Sequence, residues 1–130
     1  MASLEEALWA GCSGASAIND LIGLRLYPLK LPQNPTYPAA IYQRISNLGL
    51  LAHDGPAQLD TARFQFDFFG RSYSQARAVA TAFRTYLEGY HGLMGEIRIS
   101  VIVFENEIDA WGEEAGVFRL TQDYKIIHNI

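Results

Sequence analysis

The chain has 130 residues, 49% of them hydrophobic and 18% charged, with one cysteine and a formal net charge of −4 at pH 7. The length suits one folded domain over residues 1 to 130, and the composition is that of a globular protein. The acidic balance disfavours tight DNA binding, one cysteine excludes an internal disulfide, and no apolar run approaches the roughly 20 residues of a membrane helix.

The N-terminal region is predicted to be helical. Ser3 and Glu6 have the spacing of a capping box, and apolar residues follow at helical intervals, which predicts a helix over residues 3 to 13. Cys12 lies on its apolar side without a histidine nearby in sequence, so it is interpreted as a core residue rather than a catalytic thiol. The stretch "ASAINDLIG" predicts a second, short helix.

A proline-rich strap leads into the predicted sheet. The four prolines of "RLYPLKLPQNPTYP" disfavour long hydrogen-bonded pairing, so this stretch is predicted to be an extended connector. The runs "AAIYQRISNLGLL" and "TARFQFDFFG" are predicted to form a long hairpin around the turn residues "AHDGP". In the second run every other residue is a phenylalanine, which predicts one buried strand face.

A long helix and a second hairpin complete the predicted fold. Ser72 can cap a helix running to about Glu88 with one apolar stripe, and Arg77 and Arg84 lie off that stripe, facing solvent or a partner. The alternating run "EIRISVIVFENEID" and the run "GVFRLTQDYKIIH" predict the hairpin. We therefore predict an α+β fold with a largely antiparallel four-stranded sheet of two long hairpins, the long helix packed on one face, and an N-terminal helix.

An acidic stretch, "VFENEIDAWGEE", ends the third long strand. We call the following set the acidic tip: Glu105, Glu107, Asp109, Trp111, Glu113 and Glu114. A two-residue period predicts that its first three carboxylates share one strand face, about 7 Å apart, which is too far for them to converge on a metal ion without another element. Acid–base hydrolysis is disfavoured because it needs two carboxylates with different pKa values, and this stretch has no basic neighbour in sequence that would create such a difference. The alternative is a solvated tip whose charges keep the edge of the sheet from pairing with another chain.

No other residues form a catalytic motif. His53 and Asp54 stand beside a Gly-Pro turn, and His91 and His128 are isolated in sequence, so none is interpreted as a ligand or a base. The patterns GxSxG, Walker A, GxGxxG and HExxH are missing from the sequence. The sequence therefore predicts neither a catalytic site nor a bound metal or cofactor.

The order of these patterns resembles the tail-completion family of long-tailed bacteriophages, the tail terminator or tail-to-head joining proteins. The resemblance spans nearly the whole chain and is carried by "SLEEALWA", "RLYPLKLPQ", "YPAAIYQRIS", "HDGPAQLDTARFQFDFFGRSYSQARAVATAFRTYL" and "VFENEIDAWGEEAGVFRLTQDYKI".

This resemblance implies a structural protein of the virion tail or neck, not an enzyme, in a phage or a particle like a gene transfer agent. Made in the bacterial host cytoplasm, it would form a ring, usually of six subunits, that caps the tail tube protein and meets the head-tail connector or stopper protein. DNA would pass through the lumen, held off the wall by the acidic tip. The candidate partner-contact loop is Leu50, Leu51, His53 and Asp54.

Two other functions stay open on the sequence. A small homo-oligomeric ligand-binding module would use a pocket lined by Tyr27, Tyr37, Tyr42 and Trp111. A carboxylate metalloenzyme would use the acidic tip.

Overall fold

The computed structural model describes residues 3 to 50, 59 to 111 and 116 to 129. This part of the chain contains three helices, α1 (Leu4–Gly14), α2 (Ser16–Ile22) and α3 (Tyr73–Leu87). Its six strands are β1 (Leu26–Pro28), β2 (Ala39–Leu50), β3 (Leu59–Gly70), β4 (Gly92–Met94), β5 (Ile97–Trp111) and β6 (Phe118–Asn129). The fold is α+β, as predicted. None of the described helices is long and apolar enough to cross a membrane.

All the strands belong to one sheet, in the order β1-β2-β3-β6-β5-β4. The four long strands are antiparallel neighbours and include both predicted hairpins. The prediction of four strands is wrong because a three-residue strand is added at each edge: β1, parallel to β2, and β4, antiparallel to β5. β1 lies inside the predicted connector and β4 inside "GYHGLMG", and three residues are too few to show an alternating pattern.

The core lies between the sheet and the helices. Phe64, Phe66 and Phe68 are fully buried, which confirms the buried face predicted for β3. The ring of Phe66 lies 5.6 Å from that of Phe83 on α3 and 5.7 Å from that of Tyr124 on β6, measured between centroids. Aromatic pairs at these separations add to the free energy gained from burying apolar area.

Local capping fixes where the helices begin. The Oγ of Ser3 accepts a hydrogen bond from the backbone N–H of Glu6, and the Glu6 carboxylate accepts one from the backbone N–H of Ser3. The predicted capping box is therefore confirmed. The Oγ of Ser72 accepts from the backbone of Gln75 and starts α3. Cys12 is fully buried on α1, and this burial raises the pKa of its thiol, which supports its assignment to the core.

β5 does not keep a simple two-residue period. Its register against β6 shifts around Ser100 and again around Glu105, as in β-bulges. A bulge adds one residue to one strand and moves the following side chains to the opposite face. A strict two-residue period continued from buried Ile99 would bury Val101 and Val103, but Val103 is exposed and Ile102 takes the buried position.

The two long hairpins point to opposite ends of the sheet. Leu50, the last residue of β2, pairs with Asp60 of β3, and Asp60 pairs with His128 of β6. His128 in turn pairs with Ile99, near the start of β5. The last residue of β5, Trp111, lies at the other end of the sheet. The last residues of β2 and of β5 therefore lie at opposite ends of the sheet.

Candidate functional site

The described carboxylates of the acidic tip are divided between the two faces of the sheet. Glu107 and Asp109 lie on the helix side, where they contact Arg77 of α3 at 3.0 and 3.3 Å. Glu105 lies on the other face and contacts Arg63 of β3 at 3.1 Å. The prediction of three carboxylates on one strand face is wrong because the second bulge moves Glu107 and Asp109, which follow it, to the opposite face from Glu105. Each of these acids also has a basic partner that is distant in sequence.

The helix-side acids form a network between α3 and β5. Arg77 donates from Nη1 to both Glu107 oxygens at 3.0 Å and from Nη2 to the hydroxyl oxygen of Tyr73 at 2.9 Å. The Tyr73 hydroxyl donates to Asp109 at 3.0 Å. Charge-assisted hydrogen bonds that share one guanidinium orient both acids, so this part of the acidic tip also attaches the sheet to the long helix.

Glu107 connects this network to the core. Gln122, which is fully buried, donates to Glu107 at 2.8 Å and to the backbone oxygen of Ala80 at 3.2 Å. The hydroxyl of Tyr124 donates to the side-chain oxygen of Gln122 at 2.7 Å. Partial burial raises the pKa of Glu107, but hydrogen bonds from Gln122 and Arg77 outweigh it and hold this pKa below its ordinary value. Glu107 therefore stays ionised at neutral pH with its charge compensated.

The sheet face turned away from the helices carries its own polar rows. Gln43 donates to Gln65, and Gln65 donates to Asp123, both at 3.2 Å. Thr121 donates to Asp67, whose pKa is raised because burial outweighs this hydrogen bond. The helix-free face is thus more polar than the aromatic face beneath α3 and still partly shielded from solvent.

The four aromatics predicted for a ligand pocket are not gathered in the clefts beside Tyr42. Tyr42 lines a cleft of about 420 Å³ against α1 and another of about 260 Å³ near β1. Neither cleft is lined by Tyr27 or Tyr37, and Tyr37 instead lies under the guanidinium of Arg71, 4.6 Å from its ring centroid. The side chain of Trp111 lies outside the described residues.

Within residues 3 to 50, 59 to 111 and 116 to 129, no three His, Cys, Asp or Glu side chains converge as a metal site would require. The remaining predicted site residues lie outside the described part: Leu51, His53, Asp54, Glu113 and Glu114, together with the side chain of Leu50.

Sequence reasoning missed the basic partners of the acidic tip. Arg77 was predicted to face solvent or a partner, yet it contacts β5. Arg84 lies with its guanidinium 3.8 Å from the ring centroid of Phe104, also on β5. The available signal was the acidic stretch itself, because carboxylates that end a strand beneath a helix favour arginines on the facing side of that helix.

The comparisons with known proteins decide the family. The model of the Tail completion protein gp17 family matches residues 6 to 129. The chain belongs to this family. It is therefore a structural protein of the virion tail or neck rather than an enzyme, and it acts together with other tail and head components.

A solved structure supports the fold of this tail completion protein. A chain from "Virion of native gene transfer agent (GTA) particle" is 16% identical in sequence and superimposes with a TM-score of 0.75. The alignment covers 98% of this chain and 96% of that chain, so the two share the whole fold. The search of curated proteins finds no match.

Proposed function

We propose that the chain acts as a single tail-terminator-like domain whose copies form a ring, of six subunits, on the finished tail tube. The ring ends tube growth and joins the tail to the head connector, and DNA passes through its lumen. The observation that carries this proposal is the match to the tail completion family over residues 6 to 129.

The placement of the hairpins supports a role between two partners. A tail terminator must bind the last layer of tube protein on one side and present a different surface to the connector or stopper protein on the other. Leu50, where β2 ends, and Trp111, where β5 ends, lie at opposite ends of the sheet. We propose that the loop with Leu50, Leu51, His53 and Asp54 contacts one of these partners, and that the hairpin end beyond Trp111 serves the other side.

We further propose that the acidic tip lines the lumen. Six copies with a net charge of −4 give the ring −24, and walls of like charge in a narrow passage repel the phosphates of DNA. Arg63 compensates part of the charge of Glu105, and Arg77 is shared between Glu107 and Asp109, which is 55% exposed. The repulsion is therefore assigned mainly to the outermost acids of the tip, Asp109, Glu113 and Glu114.

Neutralising those outermost acids should impair DNA delivery without preventing assembly. The triple variant Asp109→Asn, Glu113→Gln and Glu114→Gln removes the exposed ion pair of Asp109 with Arg77 but leaves those of Glu105 and Glu107 in place, so folding is preserved. We expect assembled particles that eject less DNA at low salt, because DNA adheres to the wall, and a smaller defect at high salt. The control is Asp20→Asn, at an exposed position on α2. Normal ejection by the triple variant at both salt concentrations would exclude a lumen-facing tip.

The ring itself is tested by its position and mass. Electron microscopy of particles carrying a tagged chain should show the tag only at the head–tail junction, on a ring with six-fold symmetry. Native mass spectrometry of that ring should give about 87 kDa, six times 14.5 kDa. A tag distributed along the tube, or found away from the junction, would contradict the proposed function.

A further inference from the structure

The sheet has two strand edges without a neighbouring strand in the described part of the chain. β4 pairs only with Ile97–Ile99, and Tyr90 extends this contact to Ile102, so residues 103 to 111 form a free edge of β5. β1 pairs only with Ala40–Tyr42, so residues 43 to 50 form a free edge of β2. An unpaired edge presents backbone N–H and C=O groups that can pair with another chain.

Exposed aliphatic side chains lie along both free edges. On β5, Val103 is 37% exposed and Ile108 is 52% exposed. On β2, Ile45 is 48% exposed. Charged residues commonly protect an edge strand from pairing, but the three acids on the β5 edge are held in ion pairs by Arg63 and Arg77. β-Branched aliphatic residues favour strand pairing. These positions are therefore suited to burial against another strand.

The strand directions make the two free edges complementary. β2, β3, β6 and β5 alternate in direction, so β2 and β5 run in opposite senses at the two sides of the long-stranded sheet. When a second copy is placed beside the first in the same orientation, β5 of one copy lies antiparallel to β2 of the next. The alternation of strands then continues across the boundary between the copies.

The short edge strands leave room for this contact. β1 covers the part of β2 near Ala40, whereas β4 covers the part of β5 near Ile99, and these parts lie at opposite ends of the sheet. A pairing staggered along the strand direction brings the free edges together and leaves β1 and β4 on either side of the junction. The free edges also match in length, with eight residues on β2 and nine on β5.

We propose that copies of this chain join through these edges, the free edge of β2 in one copy pairing antiparallel with the free edge of β5 in the next. The inference rests on the ring of the proposed function and specifies how its subunits are held together. The two edges are different surfaces, so the contact is head-to-tail, the kind that generates a closed ring when its rotation closes. Backbone hydrogen bonds supply the pairing, and the aliphatic side chains are buried along it.

Disulfide trapping in assembled particles tests the pairing. Two double variants place cysteines on the helix-free face, Ser46→Cys with Asn106→Cys and Ser46→Cys with Ile108→Cys, to allow for either stagger. Within one chain β3 and β6 separate these positions by three strand spacings, about 14 Å, which is beyond the roughly 7 Å that a disulfide tolerates between Cα atoms. Buried Cys12 does not interfere.

Oxidation of at least one double variant should give a ladder of covalent multimers on a non-reducing gel, and each single-cysteine variant should not. Ile108→Lys should keep the melting temperature of the subunit, because Ile108 is exposed, but should strongly reduce incorporation into particles. The control Leu24→Lys changes a side chain that is 62% exposed and lies outside the strands, and it should be incorporated normally.

The outcomes separate the two proposals. If a ring is present at the head–tail junction but neither double variant cross-links, or Ile108→Lys is incorporated like the unchanged chain, edge pairing is wrong and the proposed function stands. If the unchanged chain forms no ring at the junction, both are overturned.

Discussion

Phe66→Asp is expected to prevent the chain from folding. Phe66 is fully buried at the centre of the aromatic cluster, against Phe68, Phe83 and Tyr124. Removing a buried phenylalanine costs about 3–5 kcal/mol, and an unpaired carboxylate in its place adds a desolvation cost. The sum is comparable with the total stability of a small domain, about 5–15 kcal/mol.

Solubility and thermal unfolding by circular dichroism measure this effect. Leu29→Asp is the matched control, because Leu29 is largely exposed and should accept a carboxylate with little change in melting temperature. A soluble Phe66→Asp variant that melts at the same temperature as the unchanged chain would show that β3 does not bury this face against α3.

Local patterns predicted the parts of the fold that depend on near neighbours in sequence. The alternation of phenylalanines marked the buried face of β3, and Ser3 and Ser72 marked the starts of α1 and α3. In each case the signal and the structure lie within one helical turn or one strand. Sequence spacing alone is sufficient there because the side-chain period follows from the backbone geometry.

The failures arose where pairing between distant segments decides the structure. The strands β1 and β4 exist because β2 and β5 offer them an edge, not because three residues prefer to be extended. The bulges in β5 depend on its register against β6, and one of them moves Glu107 and Asp109 to the opposite face from Glu105. No period read along one strand contains that information.

The acidic stretch shows how far composition can be interpreted. Three of its acids are paired, through Arg63 on one face of the sheet and Arg77 on the other. A cluster of like charges in sequence is therefore not one cluster in space. It includes ion pairs that join β5 to β3 and to α3, and the proposed repulsion of DNA is assigned mainly to its outermost acids.

Loss of the gene is expected to abolish productive particles. A terminator stops tube growth by covering the last layer of tube protein with a surface that no further tube subunit recognises. Without it, we expect intact DNA-filled heads beside separate, overlong or irregular tubes, and few joined particles. Supplying the unchanged chain from a plasmid should restore joined particles, as should Leu29→Asp, whereas Phe66→Asp should behave like the deletion.

The distribution of tube lengths measured by electron microscopy, in particle preparations with and without the gene, tests the central claim most directly. The proposed function predicts a narrow distribution with the gene, with tails attached to heads, and a broad distribution extending to much longer tubes without it. Tails of normal length firmly attached to heads in the deletion would contradict it.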